Sequence, residues 1–157
     1  MAAAEIAPLA KAGGLADVAG SLPIALQKLG CDVRLFMPHY GFPKNKDIKA
    51  KKIKDNIEIC SGGRTEKISL WETSLPGTKI PVYLIENKKH FGKNDVYWGN
   101  NSERFLFFCL SIYQTIPITG FQPDIIHCHD FHTALLIDII KATNTDYYKD
   151  VKTIYTI

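Results

Sequence analysis

The chain is 157 residues long, with 46% hydrophobic and 22% charged residues and a formal net charge of +3, a composition that supports one domain with a real core and excludes a disordered chain. No apolar run approaches the roughly 20 residues that span a bilayer, and Met1–Glu5 lacks the basic start of a signal peptide, so a soluble, cytoplasmic protein is expected. The positive charge is local: residues 44–55 hold six Lys and two Asp with no interleaved aromatic ring, the pattern of a lysine-guarded strand edge rather than of a nucleic-acid surface.

Residues 6–14 (IAPLAKAGG) form a Pro- and Gly-bearing loop. Leu15, Val18, Ala19, Leu22, Leu26 and Leu29 then recur at helical spacing, and Gly30 stands in the post-helical position. Pro23 falls inside that pattern and predicts a kink or a restart after Ser21. Asp32–Met37 is a strand stopped by Pro38. A strand should precede the loop as well, and Met1–Glu5 is too short to make a well-paired central one. Period-two alternation over residues 52–60, 64–73 and 79–86, with turn signals at Ser61-Gly62-Gly63 and Pro76-Gly77, predicts a β-hairpin excursion and a strand returning to the main sheet. After a polar loop, Ser102-Glu103 opens a helix that runs to about Thr115, with Pro117 and Gly120 beyond it. Residues 123–130 are a short buried strand with polar last residues, residues 131–142 a helix, and residues 151–157 a further strand. Helices alternating with short apolar strands predict an open, mostly parallel α/β sheet. Cys31, Cys60, Cys109 and Cys128 include no C-x-x-C pair, and buried free thiols in a reducing compartment are expected.

In such a sheet the ligand lies beyond the C-terminal strand ends, where loops enter helices. Two segments occupy that place. In Lys11–Asp17, Gly13 and Gly14 open a helix whose N-terminal amides suit an anion, with Lys11 as a mobile cation; a plain tight turn is the alternative. In His127–His132, three His and one Asp first suggest a metal, but Asp130 is one place out of step with the H-x-H-x-D-H run and Phe131 stands where the acid belongs. Asp130 also suits a helix N-cap. Tyr97-Trp98-Gly99-Asn100-Asn101 offers rings and amides to a sugar, or packs on the core, with Arg104 placed to tie the loop down.

Three motifs together resemble one family. K-A-G-G-L-A-D-V-A-G-S-L-P-x-A-L (Lys11–Leu26) followed by G-C-D-V-R-L-F-M-P-H-Y (Gly30–Tyr40), the set Tyr97, Asn101 or its neighbour, Arg104 and Phe105, and H-C-H-D-F-H-T-A-L (His127–Leu135) are similar to bacterial glycogen synthases and plant starch synthases. The resemblance implies the Rossmann-like, acceptor-side half of a GT-B glycosyltransferase over residues 1–157, with the nucleotide-binding C-terminal domain absent and the chain alone inactive. It implies a retaining transfer of glucose from ADP-glucose to the non-reducing end of an α-1,4-glucan, either glycogen or a maltooligosaccharide, without metal or cofactor and with neither nucleic acid nor membrane as partner. Asp17 and Asp130 are the implied catalytic residues; Lys11, Gly13, Gly14, Tyr97, Asn101, His127 and His129 are the implied substrate-binding ones. The alternatives are another GT-B transferase with a different nucleotide sugar, a noncatalytic carbohydrate-binding half, and a metallohydrolase built on the His cluster.

Overall fold

The computed structural model describes residues 1–41, 49–143 and 145–157. Its strands are Leu35–Pro38 (β1), Lys51–Ser61 (β2), Arg64–Ser74 (β3), Pro81–Glu86 (β4), Ile125–His129 (β5) and Lys152–Thr156 (β6). Its helices are Gly14–Lys28 (α1), Lys88–Phe91 (α2), Asn101–Thr115 (α3) and Phe131–Thr143 (α4), with a 3₁₀ turn at Pro117–Thr119. β1 pairs parallel with β4 and β5 parallel with β6, whereas β3 runs antiparallel to both β4 and β2.

The N-terminal segment joins these two groups of strands. Ala2 forms parallel bridges to Phe36 of β1 and to Cys128 of β5. The Ala3 N–H donates to the Phe36 carbonyl at 3.1 Å, and the His129 N–H donates to the Ala2 carbonyl at 3.0 Å. The order across the sheet is therefore β2-β3-β4-β1, then the N-terminal segment, then β5-β6. The segment is central, yet it is joined by single bridges and forms no strand of its own, in keeping with the expectation that five residues are too few for a well-paired central strand. A segment hydrogen-bonded on both edges needs little length, and Ala2, Ala3 and Ala4 are all at most 2% exposed. The chain leaves this segment toward β1 on one side and returns through β5 on the other, so the topological switch point lies between the segment and β5.

α1 runs through Pro23 without restarting. Its buried residues are Ala16, Ala19, Gly20 and Pro23, while Val18 and Leu29 face solvent. The large-residue stripe expected to be inward is thus partly outward. The cause is close approach: the Ala7 N–H donates to the Ala16 carbonyl at 2.9 Å, and a Cβ on Gly20 would lie 2.5 Å from the Ala7 carbonyl oxygen. The helix ends as predicted, with Gly30 at φ 90 and the Gly30 and Cys31 amides donating to the Gln27 and Leu26 carbonyls, a Schellman closure.

The hairpin excursion forms as expected. Gly62 and Gly63 turn it with φ of 56 and 76, the double-positive geometry of a two-residue hairpin turn. β2 is the outer strand and carries Lys51, Lys52 and Lys54 on exposed positions; Lys44 and Lys46 lie outside the described residues. α3 is capped by Asn100, whose side chain accepts from the Glu103 N–H at 3.2 Å, rather than by Ser102. Its buried Phe105, Phe107, Phe108 and Ile112 form the centre of the core. Of the four free cysteines only Cys109 and Cys128 are buried; Cys31 follows the α1 terminus and Cys60 points outward from β2, so both are exposed. Among the described residues no helix is long and apolar enough to cross a membrane.

Candidate functional site

At the switch point, the loop leaving the N-terminal segment meets the loop leaving β5. Glu5 ends the segment and is 1% exposed. Its Oε2 accepts the backbone N–H groups of Ala12 and, at 3.0 Å, of Gly13. The amides that the sequence offers to an anion are thus held in part by an internal carboxylate. What remains for a ligand is Lys11 and the first amides of α1, Gly14 and Leu15, which have no intrahelical acceptor. Lys11 Nζ contacts both Asp17 carboxylate oxygens at 2.7 Å, with both side chains more than half exposed. Such a surface pair is weak enough for a stronger anion to displace.

On the β5 side, Asp130 adopts φ 61, an uncommon conformation for a residue with a Cβ. It is held by its N–H to the Thr156 carbonyl at 2.7 Å and by its Oδ1, which accepts from the Phe131 N–H at 2.6 Å. The carboxylate therefore sits at the start of α4, on the strand-end edge that Glu5 shares, but it accepts from the first helical N–H and not from the second or third, as a capping side chain would. Backbone strain of this kind concentrates at functional sites.

Tyr97 covers the junction. Its ring lies 5.5 Å from that of His132, and it is 41% exposed. Partial burial raises its hydroxyl above the ordinary tyrosine range, and the nearby carboxylates of Glu5 and Asp130 add to this. Phe131, 54% exposed, presents a second open ring. Trp98 does not serve this way: it is half-buried, with Arg104 4.4 Å and Lys93 4.5 Å from its ring centre.

Arg104 is the hub of this loop. Buried at 3% exposure, it donates from Nε to the His90 carbonyl (2.7 Å) and from Nη1 to the Val96 carbonyl (2.9 Å), the Trp98 carbonyl (3.1 Å) and Asn101 Oδ1 (2.8 Å). Asn101 is therefore occupied in fixing Arg104, and its oxygen does not face the junction as an unused acceptor.

The three imidazoles diverge. His127 and His129 stack at 4.0 Å on one side of β5, as strand alternation requires. His127 Nε2 lies 2.8 Å from Thr156 Oγ1, and the ring lines an apolar pocket of about 540 Å³ with Leu22, Leu26 and Ile154, away from Asp130. His129 is buried and pushed down to about 4 by desolvation, with His127 contributing. His132 is fully buried among Phe131, Phe105 and Tyr97; burial lowers it, while Asp130 and Glu5 pull the other way. Among the described residues no group of His, Cys, Asp or Glu is arranged to hold a metal ion.

The structure thus sets the loop of Lys11, Gly13, Gly14 and Asp17 and the strand-end residue Asp130 on neighbouring strand ends, with Tyr97 beside the Glu5 and Asp130 carboxylates; it leaves His127 off that edge, stacked on the buried His129, bears out Arg104 as the residue that ties the aromatic loop down, and adds Glu5. Glu5 is signalled in sequence by a lone charge inside the apolar run Ala2–Ile6, directly before the loop. The arrangement joins a cation and helix-start amides, which suit an anion, to carboxylates and open rings, which suit sugar hydroxyls and C–H faces.

The family model for the starch synthase catalytic domain matches residues 1–157. Glycogen synthase 2 of Geobacter sulfurreducens is 37% identical over all of this chain and 34% of that protein. Glycogen synthase of Moorella thermoacetica is 42% identical over 98% of this chain and 31% of that protein. The solved catalytic domain of starch synthase IV from Arabidopsis thaliana, bound to ADP and acarbose, matches with a TM-score of 0.87 and 28% identity over 98% of this chain and 32% of that one. The chain spans about a third of the length of these relatives.

Proposed function

The chain belongs to the starch synthase catalytic-domain family, and on that footing we propose that its gene product transfers glucose from ADP-glucose to the non-reducing end of an α-1,4-glucan, in the cytoplasm. The observation that supports the proposal is that the loop pinned by Glu5 and the strand-end residue Asp130 leave neighbouring strands at the switch point, with Tyr97 beside both carboxylates. ADP and acarbose in the starch synthase IV structure support a nucleotide on one side of the reaction and a glucan-like chain on the other.

In this reading Lys11 moves from Asp17 to the donor's diphosphate and, with the Gly14 and Leu15 amides, stabilises the charge that grows there as ADP leaves. The glucose–phosphate bond breaks, and the acceptor hydroxyl oxygen bonds to the same carbon on the same face. Its proton passes to the departing phosphate. Asp17, released from Lys11, and Asp130 hold sugar hydroxyls and favour the positive charge on the reacting ring. Tyr97 and Phe131 offer faces for glucosyl units.

The test is incorporation of labelled glucose into glycogen by the full-length gene product, with ADP-glucose and UDP-glucose in parallel. Transfer from ADP-glucose at least tenfold above UDP-glucose is expected, a difference of about 1.4 kcal/mol in transition-state stabilisation. Preference for UDP-glucose overturns the donor assignment; no transfer from either overturns the activity.

A further inference from the structure

We infer that Glu5 is the positioning residue of the Lys11–Gly14 loop, a buried carboxylate that clamps the Ala12 and Gly13 amides and so fixes where Lys11 and the first turn of α1 meet the donor's phosphates. This deepens the glucosyltransferase reading and rests on it for the identity of the donor.

A carboxylate that is 1% exposed needs partners to replace its lost hydration. The described partners of Glu5 are the two consecutive amides of this loop, seven and eight residues further on. The positive end of α1, which begins at the next residue, favours the charge as well. The loop is also closed from its other end, with the Ala10 N–H donating to the Ile6 carbonyl and the Ala7 N–H to the Ala16 carbonyl, both at 2.9 Å. Glu5 completes that closure on the side facing the junction, where it adds to the field at Tyr97 and His132.

Two consequences follow for the ligand. The Ala12 and Gly13 amides are already committed, so an incoming diphosphate is left to Lys11 and to the Gly14 and Leu15 amides. And because the backbone is clamped by Glu5 rather than by Asp17, Lys11 can leave Asp17 for a phosphate while the loop keeps its shape. Glu5 touches neither phosphate nor sugar; it acts through the loop.

The test compares Glu5→Ala and Glu5→Gln in the full-length gene product by hydrogen exchange of the peptide covering residues 9–16 and by steady-state kinetics. With both amide bonds lost, Glu5→Ala should exchange that peptide about tenfold faster and raise the KM for ADP-glucose about tenfold or more, while the KM for glycogen stays within about twofold. Glu5→Gln keeps an oxygen acceptor and should recover most of both effects; if Glu5→Ala does not fold, a two- to fivefold rise in donor KM in Glu5→Gln, again with glycogen KM unmoved, carries the same conclusion. Unchanged exchange in Glu5→Ala, or a lowered Tm with donor and acceptor KM moving together, overturns the inference. A wild-type protein that does not use ADP-glucose fails the functional reading instead, and the exchange comparison still decides whether Glu5 holds the loop.

Discussion

Arg104→Met is the sharpest test of how the site is supported. The substitution keeps an unbranched stem in the same space but removes four hydrogen bonds, leaving the His90, Val96 and Trp98 carbonyls and Asn101 Oδ1 without that donor. Each buried carbonyl deprived of its donor costs about 1 kcal/mol or more, and the lost guanidinium contact with Trp98 costs about 0.5–2 kcal/mol. The guanidinium's own desolvation, which lowers its pKa, offsets part of this, so a net loss of about 3–5 kcal/mol is expected, within the range for dismantling a buried polar network. That is a large share of the 5–15 kcal/mol a domain of this kind has in total. Urea unfolding followed by tryptophan fluorescence reads it directly, because Trp71 and Trp98 are the only tryptophans and a Trp71→Phe background isolates Trp98. The midpoint should fall and the native Trp98 emission should shift to the red as the loop loosens. Arg104→Lys keeps the charge but not the forked donors and should recover no more than about half of the loss. An Arg104→Met protein within about 1 kcal/mol of its parent, with unshifted Trp98 emission, refutes the hub.

Gly20→Ala should destabilise the chain by about 1–3 kcal/mol, the cost of overpacking, because its Cβ would meet the Ala7 carbonyl at 2.5 Å; thermal melts of the variant check this. Asn100→Ala should cost about 1 kcal/mol and Ser102→Ala almost nothing, since Asn100 caps α3; equal effects in denaturant melts would contradict the cap assignment. Stability should fall as pH drops from about 6.5 to about 4. His129 is pushed down to about 4 by burial and by His127, and burial lowers His39, His127 and His132 too. The unfolded chain therefore binds more protons across that window, while above it these histidines are neutral in both states and the penalty vanishes. Asp55, held at about 2 by hydrogen bonds from Ser69 and Lys52, stays ionised there. A His129→Gln variant should flatten the slope of unfolding free energy against pH.

The alternation of residues 52–60 and 64–73 marks β2 and β3 nearly to the residue, because a hairpin with exposed positions between buried ones writes a period of two, while β4, whose Val82–Ile85 are all buried, is marked by its apolar run between turn signals. Gly30 marks the end of α1 for an equally local reason. What local pattern misses is set by contacts distant in sequence. The face of α1 is decided by the backbone of Ala7, not by its own leucines. The central place of Ala2–Ala4 depends on β1 and β5, which lie more than thirty and more than a hundred residues away. In the candidate site, Lys11, Asp17, Tyr97 and Asp130 stand out in sequence because each sits in a motif at the start of a helix or in a loop. Arg104 is legible too, standing just inside the helix start after the aromatic loop that it ties down, whereas Glu5 shows in sequence only as a lone charge in an apolar run, which does not say which backbone it holds; His127 carries the motif but is turned by strand alternation onto the α1 face.

The central claim is that the loop after the N-terminal segment and the loop after β5 act on one substrate. A double-mutant cycle of Lys11→Ala and Asp130→Asn on kcat/KM for ADP-glucose, in the full-length gene product, tests it most directly. Each single variant should lose about a hundredfold or more, and the double variant clearly less than the product of the two, since both groups serve the same transition state. Either single variant within about threefold of the parent, or losses that multiply in full, would contradict it.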